Sequence, residues 1–191
     1  MNFQPGSIYH VYNQGNNKEP LFFNRDNYLY FLKKMRSSLI PYSDLLAYCL
    51  MPNHFHWLIK VKDDLVEDKN LHHPLVRKIA NLLSSYTQAV NKQQNRSGSL
   101  FRSKTKSKKI DDLYYALTCF LYIHQNPLRA ELSINLDDWM FSSYRDYAGI
   151  RKGDLCNMKL AIELFELPKS VTEFEEFSMK TIPDHYLNKF N

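Results

Sequence analysis

Residues 51–59 read MPNHFHWLI, and how they are read decides the fold. Pro52 cannot donate to a strand ladder and Asn53 tolerates turn geometry, so MPN reads as a turn. HFHWLIKV (54–61) follows as a strand, and LLAYCL (45–50) precedes it, so the two form a hairpin. Alternation puts Phe55, Trp57, Ile59 and Val61 on one face, the core face, and His54, His56, Leu58 and Lys60 on the other. The second set opens with two imidazoles whose β-carbons stand about 7 Å apart, near enough to meet one ion. An isolated H-x-H pair equally fits two satisfied or solvent-facing histidines, so a third ligand is needed to decide.

Outward from the hairpin, SIYHVYNQ (7–14) alternates and is rich in aromatic and β-branched residues, as a first strand is. NRDNYLYFLKKMRSSL opens on an Asn cap and repeats apolar residues at helical spacing, predicting a helix from about Asp26 to Leu39. A polar loop, DDLVEDKNLHH (63–73), leads to Pro74, which suits the first turn of a helix reaching about Lys92. Its apolar stripe is Leu75, Ile79, Leu82, Leu83, Tyr86 and Val90. Leu100 to Ile110 reads as a fourth strand. Asp111 or Asp112 caps a helix running to about Gln125, which Pro127 follows, and another helix lies around Met158–Glu166. The expectation is an α+β fold, one antiparallel sheet with helices packed on it. With 191 residues and 44% hydrophobic content the chain supports one domain.

The helix after residue 112 can supply the missing ligand. Tyr122 and Asn126 are four apart and so share a face, pairing a nucleophilic oxygen with a neutral carbonyl ligand. His124 projects roughly 200° away and stays out of that pair. The bland reading is packing, since the chain has 13 tyrosines and an Asn-Pro pair commonly stops a helix.

The net charge of +5 is clustered: residues 96–109 carry six of the 25 Lys and Arg and no acid. On a strand, Arg102, Lys104, Lys106 and Lys108 share one face at roughly 7 Å intervals, close to phosphate spacing along a nucleic-acid strand. Lys109 lies on the other face with Ser103, Thr105 and Ser107. The plain alternative is a charged edge strand that resists aggregation. Cys49, Cys119 and Cys156 fit no metal or redox spacing and read as buried free thiols in a reducing cytoplasm. No apolar run approaches the ~20 residues of a membrane span, and the polar opening lacks a signal-peptide core.

Taken together, MPNHFHWLIKV, SLFRSKTKSKKI, YIHQNPLRA and DWMFSSYRDYAG resemble, in order and spacing, the REP-associated tyrosine transposases, single-tyrosine HUH nucleases of the IS-two-hundred-like group. GSIYHVYNQGNNKEPLFFNRDNYLYFL and SYTQAVNKQQNRSGSLF resemble the same family, so the likeness spans about residues 6–150. It implies an HUH nuclease domain over 1–150, ferredoxin-like or RRM-like; residues 151–191 carry no part of the likeness and read as a helical extension of the same domain. It implies that His54 and His56 bind a divalent cation, Mg²⁺ or Mn²⁺, with Asn126 as third ligand and Tyr122 as nucleophile. Imidazoles alone would equally suit zinc. The implied substrate is single-stranded or hairpin DNA, cleaved and rejoined through a 5′-phosphotyrosine in DNA transposition, with Arg102, Lys104, Lys106, Lys108 and Lys109 on the DNA. Tyr9 or Tyr12 could stack unpaired bases. Monomer and homodimer stay open, as does whether Tyr122 serves its own chain's histidines. One departure stands out: the family's usual glycine after NPxRA is Glu131 here. Two rivals remain, a nucleic-acid-binding module without cleavage and a hydrolase using metal-bound water.

Overall fold

The computed structural model describes residues 1–63 and 74–190, so most of the expected 63–73 loop lies outside the described residues. Four strands form one antiparallel sheet in the order β2-β3-β1-β4: β1 (Ile8–Gln14), β2 (Ser43–Met51), β3 (His54–Val61) and β4 (Lys106–Ile110). The β2–β3 hairpin turns at Pro52 and Asn53, as the sequence predicts. The loop after β1 clamps this turn, Gly15 donating its N–H to the Asn53 carbonyl at 2.8 Å and Leu21 donating to that of Pro52 at 2.7 Å. A side chain at Gly15 would sit 2.1 Å from the Glu19 carbonyl oxygen, so only glycine fits there.

Both faces of the sheet are covered. Phe55, Trp57, Ile59 and Val61 pack with Val11, Leu45 and Leu50 beneath α1 (Arg25–Leu39) and α2 (Pro74–Gln93). The opposite face, which sequence reasoning gave to the histidines, has its own core. Ile8, Ala47, Cys49, Met51 and Leu58 meet Ala116, Cys119, Phe120 and Ile123 of α3 (Leu113–Arg129). The short α4 (Tyr144–Tyr147), α5 (Met158–Phe165), α6 (Val171–Ser178) and α7 (Asp184–Phe190) complete that layer. All three cysteines are buried free thiols.

The edge at β2 is closed by the DWMFSSYRDY segment. Leu50 donates to the Phe141 carbonyl and Ser143 to that of Tyr48, each at 2.9 Å. Arg151 fastens this segment by hydrogen bonds to Asp146 Oδ1 at 2.6 Å and to the Tyr48 hydroxyl at 2.9 Å. The edge at β4 carries lysines, which blunts edge-to-edge pairing.

Two expectations need correction. The fourth strand covers only Lys106–Ile110, not Leu100–Ile110, because Leu100 and Phe101 are both buried in the first core and so cannot alternate. An isolated bridge from Gly15 to Phe101 continues the pairing there, and Asn13 spans the gap, donating to the Thr105 hydroxyl at 2.9 Å and, more weakly, to the Arg102 carbonyl at 3.3 Å. Helix α3 continues through Pro127 to Arg129. A proline so near the C-terminus removes a single backbone donor, and the last turn closes through Ala130 N–H on the Asn126 carbonyl at 3.0 Å.

That helix ends in a Schellman arrangement, with Leu132 N–H on the Pro127 carbonyl at 2.9 Å and Glu131 N–H on that of Leu128 at 3.1 Å. Glu131 occupies the left-handed position with φ of 57°. Its side chain is exposed and strained there, so Glu131→Gly is expected to stabilise the fold by about 1 kcal/mol, read as a higher denaturant midpoint at unchanged slope.

Burial also writes a pH dependence into the fold. His124 is fully buried, and burial lowers its pKa from 6.5 to about 3. Between those values the unfolded chain binds a proton that the folded chain refuses. Stability is therefore complete above pH 6.5 and falls toward pH 3, by up to about 1.4 kcal/mol per pH unit for such a group. Guanidinium midpoints measured from pH 7 to 4.5 should drop less steeply in His124→Gln than in the natural protein.

Candidate active site

The register of β1 against β3 assembles the site. Tyr12 lies opposite His56 and Gln14 opposite His54, so strand alternation sends all four side chains, with His10, to the α3 side of the sheet. Helix α3 starts at an N-cap, Asp112, whose carboxylate accepts from Tyr114 N–H at 3.3 Å and Tyr115 N–H at 3.0 Å. Its packing on β2 and β3 brings Tyr122 over the imidazoles. The Tyr122 ring stands 5.5 Å from that of His56, at 90°, and the His54 and His56 rings are 5.1 Å apart at 88°.

These residues line one cavity of about 300 Å³ together with Asn126, Arg102, Lys104 and Lys106. Among the described residues no acidic side chain lines it. As the helical spacing predicts, the i,i+4 pair Tyr122 and Asn126 faces the same cavity. His124 points away, bonded through Nε2 to the Ser143 hydroxyl at 2.8 Å inside the second core.

Burial dominates the electrostatics. It lowers the His54 pKa to about 4, and burial with His10 and His54 nearby holds that of His56 well below the ordinary imidazole value. Both rings are therefore neutral at pH 7, the form that ligates metals. Each has its Nδ1 engaged, His54 with Asn53 Oδ1 at 2.7 Å and His56 with His10 Nε2 at 2.8 Å. That leaves the two Nε2 atoms as donors. With the Asn126 amide they make a neutral nitrogen and oxygen set that fits a divalent cation, whose charge the phosphate of a substrate would balance. Among the described residues no cluster of three His, Cys, Asp or Glu offers a competing metal site. The Tyr122 hydroxyl is pushed up to about 12, mainly by burial, with the neighbouring Asn126 side chain opposing the rise.

The basic residues divide. Arg102, Lys104 and Lys106 face the cavity although only Lys106 is on a strand, and the Lys106 ammonium sits 5.4 Å from the Tyr12 ring. Lys108 lies farther along the same face, 5.3 Å over Tyr115. Lys109 points to the other face and pairs with Asp111 at 2.9 Å. Of the two candidate stacking rings, Tyr12 lines the cavity whereas Tyr9 is packed in the first core, its hydroxyl accepting from Gln4 N–H at 2.9 Å.

Two participants escape sequence reasoning. His10 needed the β1–β3 pairing, which no local pattern reveals, although alternation already set it on the Tyr12 face. Phe190, the last residue of α7, is fully buried and stacks on Tyr122 with centroids 4.6 Å apart at 26°. Nothing in the C-terminal sequence marks it.

Neither protein-family models nor curated proteins give a match to this sequence. Among solved structures the chain is similar to one described as a REP-associated tyrosine transposase bound to a REP hairpin. The TM-score is 0.57 at 16% identity, over 82% of this chain and 91% of that one. The likeness shows the fold: a single antiparallel sheet with packed helices, shared by the two proteins.

Because Phe190 supplies much of the apolar contact on Tyr122, Phe190→Ala should expose the phenol and lower its pKa toward the ordinary 10. Nitration by tetranitromethane at pH 8, followed on the Tyr122 peptide by mass spectrometry, should rise several-fold in that variant while the buried Tyr86 stays protected.

Proposed function

We propose that this protein is a metal-dependent tyrosine nuclease and strand transferase acting on single-stranded DNA next to hairpins, as in DNA transposition. One observation carries the reading. The Tyr122 ring, two neutral imidazoles and the Asn126 amide share a cavity whose charged lining, among the described residues, is Arg102, Lys104 and Lys106. A phosphodiester is the anion that such a wall and such a nucleophile both suit. The similarity in fold to a hairpin-bound tyrosine transposase supports the same reading. Residues 1–150 would carry the chemistry, with 151–191 as an extension that adds Phe190 to the cavity.

In the reaction, the Tyr122 oxygen forms a bond to phosphorus while the bond from phosphorus to the 3′-oxygen breaks. The phenol gives up its proton and the departing 3′-oxygen gains one, leaving a 5′-phosphotyrosine and a free 3′-OH. Attack by a 3′-OH on that ester reverses the step and rejoins strands, so no energy cofactor is consumed. His54, His56 and Asn126 would hold Mg²⁺ or Mn²⁺, which supplies Lewis-acid stabilisation of phosphate charge. Arg102, Lys104 and Lys106 would grip the strand at the cavity, with Lys108 extending the track. Lys109, on the opposite face and held by Asp111, would contact DNA only outside this track. Tyr12 presents a ring beside the cavity for an unpaired base.

Incubation with labelled hairpin-flanked single-stranded DNA and Mn²⁺ should give a covalent adduct that survives denaturing electrophoresis. Tyr122→Phe should abolish the adduct, and His54→Ala or His56→Ala should lower it at least 100-fold. Adduct formation should quicken from pH 7 to 9, since the nucleophile's pKa lies above that range. Cleavage without an adduct in Tyr122→Phe would point to a bound-water hydrolase. Binding with neither cleavage nor adduct in the natural protein would point to a non-catalytic module. Replacing Arg102, Lys104 and Lys106 by alanine should flatten the slope of log affinity against log salt by about 2.

A further inference from the structure

His10 is an anomaly of the second core. It sits on β1, which is flanked by β3 and β4, has no solvent exposure, and stacks 4.7 Å from Tyr12 and 5.1 Å from His56. Tyr122 and Phe190 close over it edge-on at 6.3 and 5.8 Å. An aliphatic or phenyl side chain would fill such a place without stranding a polar atom. His10 strands one, for its Nδ1 has no partner among the described residues. A buried polar atom left unpaired costs stability, so the other nitrogen must give something in return. What it gives is the 2.8 Å contact with His56 Nδ1.

The neighbouring histidine shows what such a contact does. His54 Nδ1 meets Asn53 Oδ1 at 2.7 Å, and the Asn53 amide is oriented by its own Nδ2 donating to the Lys18 carbonyl at 3.1 Å. A carbonyl oxygen can only accept. His54 therefore carries its proton on Nδ1 and keeps the Nε2 lone pair for the cavity. Among the described residues the partner of His56 Nδ1 is neither a carbonyl nor a carboxylate but the imidazole of His10.

We propose that His10 is the positioning residue for His56, its Nε2 accepting the His56 Nδ1–H so that the His56 Nε2 lone pair is held for a divalent cation. Asn53 does the same for His54. This inference rests on the metal-dependent reading above. An imidazole differs from the Asn53 carbonyl in that it can also donate. The reverse arrangement, His10 Nε2–H donating to His56, would put a proton on the ligating nitrogen. The His10–His56 contact thus sets whether His56 can ligate at all, and cation binding selects one of its two arrangements. Groups oriented in this way typically contribute 10- to 100-fold in metal affinity.

The test is Mn²⁺ binding by the full chain without DNA, read from the electron paramagnetic resonance of free Mn²⁺. Binding should be seen in the natural protein and lost in His56→Ala. Failure of that control would overturn the metal reading itself, and this inference with it. Given binding, His10→Phe should weaken it 10- to 100-fold, while His10→Gln, which keeps an acceptor near the Nε2 position, should stay within about threefold. Metal-free hairpin affinity should stay within twofold in both variants, as a purely structural role would not ensure. Natural affinity in His10→Phe, or equal loss in a folded His10→Gln, would overturn the proposal. If His10→Phe does not fold, ¹⁵N-histidine spectra of the Mg²⁺-saturated natural protein decide. A two-bond nitrogen–nitrogen coupling between His56 Nδ1 and His10 Nε2, with the proton on His56, is expected, and its absence overturns the assignment.

Discussion

The pairing register of β1 against β3 is the constraint on which the rest of this molecule depends. Strand side chains alternate with a period of two, so a slip by one residue would turn every imidazole into the opposite core. Two features hold the register. Trp57, Ile59 and Val61 alternate with the histidines and bury completely under α1 and α2. The hairpin turn at Pro52 and Asn53 is gripped by backbone donors from Gly15 and Leu21, at 2.8 and 2.7 Å. Packing on one face of the sheet thus fixes chemistry on the other.

The site trades solvation for readiness. Three imidazoles are kept neutral by burial, and burial also holds the Tyr122 phenol protonated, up at about 12. Neutral imidazoles and a protonated phenol beside Arg102, Lys104 and Lys106 leave the region short of negative charge. On the function proposed above, an arriving phosphate would relieve that imbalance. The lysine-bearing β4 edge is short, five residues, so the approach to the cavity is left to the irregular chain that carries Arg102 and Lys104.

Much of this was legible in the sequence, and for local reasons. The hairpin, the two-faced histidine strand, the Tyr122–Asn126 pairing and the exclusion of His124 all follow from strand or helix periodicity. What was not legible depends on contacts between distant segments. Leu100 and Phe101 look like strand residues until the first core claims both on the same side. Pro127 looks like a stop, yet it stands so close to the helix end that the last turn survives it. His10 reads as an ordinary strand residue because its meaning comes from a neighbour 46 positions away. Phe190 belongs to a helix that shares no pattern with the strands it covers.

Helix α3 is the spine of the second core: Ala116, Cys119, Phe120 and Ile123 have no solvent exposure, and α5, α6 and α7 lie against it. Its tyrosine is carried on that spine, and in this structure the phenol, amide and imidazoles of one molecule meet in one cavity. On the function proposed here, a single copy acting alone would take the two ends of a strand to be joined into the same chamber in succession, and the order of their visits becomes part of the chemistry.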